Sequence, residues 1–265
     1  MSINIIPQIT RERILELAGK GRRIDGRSLT QFRPIKIERG LIKKADGSAM
    51  VSIGSTKVLV GIKIETGEPF PDTPDQGVLM VNAELVPLAS PTFEPGPPNE
   101  DALELARVVD RGLRESKVLR FEDLCINPGK RVFVVFVDIY VLDYDGNLFD
   151  ASALASIAAL MDTKMKPYKV EGSEVVWIEG EPVPLSLQHY PVSVTMAKAD
   201  GSLLVDPSLE EEQSADALIT ITMDEQNRLC AIQKGQGSFT PEEVFKSVQI
   251  AKEASSYLRE RLKGG

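Results

Sequence analysis

Apolar positions in this chain switch between a period of two, a period near 3.6 and unbroken runs, and the switches divide it into elements. Thr10 to about Ala18 reads as a helix with Thr10 as N-cap, Ile14, Leu15 and Leu17 on one side, and Gly19 and Gly21 closing it. SAMVSIGSTKVLVGIKIE (48–65) places two β-rich runs around Gly54-Ser55, a hairpin signal, and VLMVNAELVPL (78–88) adds a strand. This first sheet is expected to be antiparallel. Asn99 is placed to cap a second helix, with Glu100 and Asp101 in its first turn opposing the dipole. Ala102, Ala106, Val109 and Leu113 give that helix an apolar stripe, and Arg107, Arg111 and Arg114 a basic one.

RVFVVFVDIYVLDYDG (131–146) is nearly continuous in β-branched and aromatic residues, the pattern of a strand covered on both faces. ASALASIAALMDTKM (151–165) follows as a helix of small and apolar residues with little polar face, which must be buried against the sheet. From Val192 the order is strand, turn, strand, acidic loop, strand, a turn around Asp224–Asn227, strand and a final helix. Thr240, Pro241 and Glu243 open that helix as N-cap, N1 proline and N3 glutamate. The proline-rich stretches PFPDTPDQG (69–77) and SPTFEPGPPNE (90–100) read as ordered surface loops.

The string KADGS occurs at 44–48 and again at 198–202, each time ahead of an apolar strand. Either Asp-Gly is simply favoured turn chemistry, or the chain holds two related β-rich halves, each with helices on one face of its sheet. The pattern leaves both open.

Composition narrows the function classes. The 265 residues are 42% hydrophobic and 26% charged, an ordinary globular mixture large enough for one large domain or two modest ones. The N-terminal stretch lacks the apolar core of a leader, and no apolar run approaches the ~18 residues of a membrane span, so a cytoplasmic location is expected. Cys125 and Cys230 stand alone, outside any C-x-x-C pair, and are expected to be buried free thiols. The single histidine, His189, argues against Ser-His-Asp and multi-histidine metal chemistry and is expected to be structural. With a net charge of −8, any polyanion must be met by a local basic patch.

The candidate chemistry lies in VDPSLEEEQSADALITI (205–221), where Asp206, Glu210, Glu211 and Glu212 cluster. Carboxylates so spaced can hold Mg²⁺ together with substrate phosphates, although most acidic loops are merely solvated. The basic string GRRIDGR (21–27) is compatible with RNA or subunit contact, but basic turns before strands are common and no role follows from it.

Taken in order, RRIDGR, DGSAMVSIGSTKVLVGIKIE, NAELVPLASPTFEPGPPNEDALELARVVDRGLRES and VDIYVLDYDGNLFDASALASIAAL resemble the RNase PH family over nearly the whole chain. The likeness is greatest to the non-catalytic kind of RNase PH-type subunit in the archaeal exosome. The resemblance implies an α+β fold of two β-α halves of the ribosomal protein S5 domain 2-like type. It divides the chain into an N-terminal helix and basic turn (1–30), a first domain (31–166), a linker (167–191) and a second domain (192–265). It also implies a six-membered ring of three heterodimers with a catalytic RNase PH-type subunit, cap proteins with RNA-binding domains on one face, and single-stranded RNA as substrate. Degradation of the RNA 3′ end would use inorganic phosphate as nucleophile.

Phosphorolysis needs concentrated positive charge for two phosphates and an acid or metal for the leaving oxygen. Active relatives carry Gly-Ser-Arg or Gly-Thr-Arg in the turn before the small-residue helix, where this chain has Leu148 and Phe149. Asp150 follows at or near the helix N-cap and would put negative charge where phosphate binds. Glu100 and Asp101 align with a phosphate-contacting Gly-Arg pair of active relatives. Those relatives also keep two aspartates six residues apart, matched here by Asp206 and Glu212. The resemblance therefore implies a vestigial site at Asp206, Glu212 and Asp150 and no cofactor in this chain, with inorganic phosphate and Mg²⁺ acting at the partner. The other reading is an independently active Mg²⁺-dependent enzyme using Asp206 and Glu212. Arg107, Arg111 and Arg114 are the candidate RNA contacts, since this helix lines the RNA path in relatives; surface ion pairing with Glu104, Asp110 or Glu115 is the plain alternative.

Overall fold

The computed structural model describes residues 8–171 and 174–264. Residues 1–7, part of the stretch read for an apolar leader, and residues 172–173 of the expected linker lie outside them. The chain runs α1 (Gln8–Gly19), β1 (Ile35–Arg39), β2 (Gly47–Ile53), β3 (Thr56–Gly67), β4 (Val78–Leu85) and α2 (Glu100–Glu115). β5 (Cys125–Asn127), β6 (Arg131–Asp143) and α3 (Leu148–Asp162) complete the first half. The short strands β7 (Lys164–Met165), β8 (Tyr168–Glu171), β9 (Glu174–Trp177) and β10 (Val183–Pro184) lead to the second half. That half holds β11 (Val192–Ala199), β12 (Ser202–Val205), α4 (Leu209–Ser214), β13 (Ala217–Met223), β14 (Leu229–Lys234) and α5 (Pro241–Gly264).

The first sheet has the order β1-β2-β3-β6-β4, with β5 on β6, and the second β12-β11-β13-β14. The Gly54-Ser55 hairpin forms as its residues indicate, pairing Ile53 with Thr56 and putting Gly54 at φ +58. β4 departs from the antiparallel expectation: it runs parallel to β6 from Val78↔Val134 to Leu85↔Val141. The long connection through α2 is the crossover a parallel pair requires. β6 is buried on both faces only from Val132 to Val135; from Phe136 onward buried and half-buried positions alternate.

α3 packs on β1, β2 and β3 of the first sheet and on β11 of the second, so it lies between the two. That position accounts for its composition: from Asp150 to Leu160 every residue is buried. Core residues of both halves, among them Ile62, Val137, Leu154, Ile157, Met196 and Ile221, belong to one continuous apolar cluster. The two sheets thus share a core.

Local capping chemistry sets the helix ends. Asn99 accepts from Ala102 N at 2.9 Å to open α2. Thr240 and Glu243 exchange bonds of 2.8 and 3.3 Å to open α5. α1 already runs from Gln8, so Thr10 is inside it rather than its cap. The two KADGS strings differ: Asp200 and Gly201 take left-handed conformations in the turn from β11 to edge strand β12. Asp46 instead accepts from Ile64 N at 2.8 Å, ahead of β2, which pairs on both sides. The Asp-Gly pair therefore makes a turn only at 200–201; at 46–47 Gly47 already begins β2.

The lone side chains also find roles. His189 Nδ1 lies 2.7 Å from Glu225, and Arg228 packs beside it, closing the β13–β14 turn to the approach of β11. Cys125 and Cys230 are half-buried rather than fully enclosed. Burial pushes the Cys230 thiol up to about 11 and raises that of Cys125, so neither is a ready thiolate. Among the described residues no helix is long and apolar enough to cross a membrane.

Candidate functional site: a carboxylate cluster filled by the chain's own arginines

The acidic segment is not an open loop. Ser208 opens the short helix α4, and Glu211 completes a capping box with it. Of the four carboxylates only Glu210 is exposed. Asp206, at the end of β12 in a left-handed conformation (φ +51), is completely buried.

Both Asp206 oxygens are filled by the protein. Oδ1 accepts from Arg33 Nη2 at 2.8 Å and Asn147 Nδ2 at 2.7 Å. Oδ2 accepts from Arg33 N at 2.8 Å, Arg33 Nε at 3.0 Å and Arg27 Nη1 at 3.1 Å. Burial alone would lower the Arg33 pKa, but the hydrogen bond and charge of Asp206 raise it, keeping the guanidinium charged. Next door, Glu211 receives Arg23 through Nε at 2.8 Å and through Nη2. Arg23 also donates to the backbone oxygens of Val205 and Asp206 at 2.6 and 2.9 Å. The basic string 21–27 thus finds a structural task that sequence reasoning missed: with Arg33 it neutralises the acidic segment. The opposite charges of the two strings were visible, but their pairing across some 180 positions was not.

Glu212 takes the place an anion would take at the α3 start. Its Oε1 accepts from Asn147 N at 2.6 Å and its Oε2 from Tyr144 Oη at 3.2 Å. Burial of the carboxylate, only partly offset by these bonds and by Arg33, pushes its pKa up to about 7. The Tyr144 phenol is pushed up by burial and by the charges of Glu212 and Asp101.

Asp150 is not the helix cap. The cap is Asn147, held left-handed at φ 57 and ψ 50, and Asp150 sits inside the first turn. Its carboxyl turns to the second sheet, where Oδ1 accepts from Thr195 Oγ1 at 2.8 Å and Oδ2 from Thr195 N at 3.0 Å. Asn147 Nδ2 also donates to Oδ2 at 2.9 Å. Burial pushes the Asp150 pKa up to about 7, so its role is a polar tie between the halves rather than a fixed negative charge at a helix end. Leu148 and Phe149 are half-buried and pack against the shared core.

Asn147 therefore joins Asp206, Glu212 and Asp150 into one cluster, as the sequence grouping anticipated. The donor set does not fit Mg²⁺: the metal needs free carboxylate oxygens, and those of Asp206 accept from N–H groups. At the α3 start two N–H groups are already taken, that of Asn147 by Glu212 and that of Asp150 by the Asn147 side chain at 3.4 Å.

The arginine stripe lies apart from this cluster, on the outer face of α2. Arg107 and Arg111 are exposed. Arg111 bonds Gln233 of β14 at 3.3 Å, and Gln233 in turn bonds Glu104 at 3.0 Å. Arg114 is half-buried, pairs with Asp110 at 2.7 Å and donates to Leu79 O at 3.0 Å. The ion-pairing alternative thus describes Arg114, while Arg107 and Arg111 keep their guanidinium groups at the surface.

Comparison with known proteins matches the 3′ exoribonuclease family, domain 1 over residues 31–166 and domain 2 over residues 189–254. The exosome complex component Rrp42 of Thermococcus gammatolerans is 53% identical over 263 residues, 98% of this chain and 96% of that protein. That of Methanopyrus kandleri is 47% identical over 264 residues, 99% of each. Among solved structures, a chain of the Archaeoglobus fulgidus exosome with RNA bound to the active site superposes with a TM-score of 0.86 at 47% identity, covering 96% of this chain and 98% of that one. A chain of an archaeal exosome core gives 0.84 at 44% identity, covering 97% of each.

Proposed function

The chain belongs to the 3′ exoribonuclease (RNase PH) family in both domains, and from that premise we infer that it acts as one part of a ring rather than alone. It is a non-catalytic subunit of the archaeal exosome core, within a phosphorolytic exoribonuclease complex. The observation that carries this is the state of Asp206: its oxygens accept from Arg33, Arg27 and Asn147 and leave no ligand for a metal.

In our reading the partner is a catalytic RNase PH-type subunit, three heterodimers close the ring, and cap proteins with RNA-binding domains sit on one face. Inorganic phosphate and Mg²⁺ act at the partner's site, this chain binds no cofactor, and the complex works in the cytoplasm. Residues 31–166 and 192–265 form the two domains, with 167–191 as linker. Single-stranded RNA passes over α2, where Arg107 and Arg111 hold successive phosphates by charge-assisted bonds; their exposure supports this role. Arg114, tied to Asp110 and Leu79, contributes less.

The test is a 3′-end degradation assay on labelled single-stranded RNA with Mg²⁺ and inorganic phosphate, run on the chain alone and after mixing with its catalytic partner. The chain alone should be inert and the mixture active. Release of nucleoside diphosphates by the chain alone, abolished in Asp206→Asn, would overturn the reading.

A further inference from the structure

A groove of about 730 Å³ opens between the end of β4, the proline-rich loop 90–99 and the start of α2. Its charged side chains are all acidic: Glu84 from β4, Glu94 from the loop and Asp101 from the first turn of α2. Each is exposed, and none has an ion-pair partner among the described residues. Phe93 and the loop prolines supply apolar wall, and Phe93 is fixed by stacking on Tyr144 at a centroid distance of 5.4 Å.

Like charges around a concavity focus their field into it. The elevated Tyr144 pKa, to which Asp101 and Glu212 contribute after burial, reports the same negative corner from beneath. Such a surface repels phosphodiesters. It suits a cationic head that pairs with carboxylates while its aliphatic stem lies on apolar wall.

We propose that this groove is a docking site for a lysine- or arginine-bearing segment of a protein partner. Charge complementarity selects the cation, the walls select a side chain with an alkyl stem, and the volume lies within the ~300–1,000 Å³ typical of ligand pockets. The rigid proline-rich wall lowers the ordering cost of binding. This inference does not depend on the role in RNA degradation, because the groove belongs to the isolated chain.

The probe is a fluorescein-labelled peptide, Gly-Arg-Lys-Pro-Arg-Gly, titrated by anisotropy against the full chain at low salt. The triple variant Glu84→Gln, Glu94→Gln, Asp101→Asn should weaken binding by about fivefold or more, since it removes every charge facing the peptide. A control with the same charge change on loop 68–77 (Glu68→Gln, Asp72→Asn, Asp75→Asn) should shift it less than about twofold. Equal losses in both variants would mean bulk attraction to an acidic protein and would overturn the proposal, as would absence of peptide binding or no loss in the groove variant. A groove variant that gained affinity for single-stranded RNA without losing the peptide would mark the surface as facing RNA, and would overturn it too.

Discussion

Arg33 and Asp206 stand 173 residues apart and meet as a buried pair, with Arg33 donating from its backbone N at 2.8 Å, Nε at 3.0 Å and Nη2 at 2.8 Å. One residue precedes the first sheet and the other directly follows β12 of the second, so the pair closes the two halves on each other. Removing one partner of a buried pair leaves a desolvated charge and costs about 3–5 kcal/mol. Asp206→Ala should therefore lower stability by that order in urea denaturation, while RNA degradation per assembled complex is unchanged. Lost degradation with an unmoved midpoint would instead make Asp206 a chemical participant.

Glu212 and Asp150 give the protein an unusual pH dependence. Burial raises both folded-state values to about 7, above their ordinary carboxylate values, so the folded chain binds more protons than the unfolded one between about pH 4.5 and 7. Their stabilising contribution is fully present below the unfolded values and is lost as pH rises through 7. Each contributes a slope of at most about 1.4 kcal/mol per pH unit. Asp25 and Asp224, whose values are lowered, act oppositely at more acid pH. Denaturation between pH 5 and 8 should show stability falling with pH in the native chain and a flatter profile in Glu212→Gln and Asp150→Asn. Parallel profiles in all three would refute the assignment.

Arg107 and Arg111 are separable from Arg114. Replacing Arg107 and Arg111 by alanine should leave ring assembly intact and weaken single-stranded RNA binding. The slope of log affinity against log salt should become shallower by about 1.4, or ~0.7 for each phosphate no longer neutralised. Arg114→Ala should act mainly on stability, through Asp110 and Leu79. An unchanged salt slope in the double variant would remove α2 from the RNA path.

At Gly146 the turn before α3 meets the backbone of Pro207, Ser208 and Leu209 from the second half. At φ +84 it takes a conformation that L side chains rarely adopt, and a Cβ there would lie 2.5 Å from Leu209 N and 2.7 Å from Pro207 O. Gly146→Ala should destabilise by about 2 kcal/mol or more, from backbone strain plus overpacking. It should also expose Glu212 to solvent, read as a fall in its pKa by carboxyl NMR. A melting temperature equal to that of the native chain would show that α4 yields at no cost.

What the residue pattern determined is what near neighbours decide. The α2 cap at Asn99, the α5 capping box at Thr240 and Glu243, the Gly54 hairpin and the buried character of α3 rest on groups a few positions apart, whose hydrogen bonds and periodicity are written locally. The clustering of Asp206, Glu212 and Asp150 was also legible, through likeness to a known family. Tertiary structure decided the rest. β4 became parallel because α2 carries the chain across the sheet, and an acidic loop became a helix because arginines from the opposite end of the chain neutralise it. A carboxylate looks the same in sequence whether it faces Mg²⁺, water or a guanidinium. Its chemistry follows from which donors fill its oxygens and how dry the site is, and both are set only when distant segments pack.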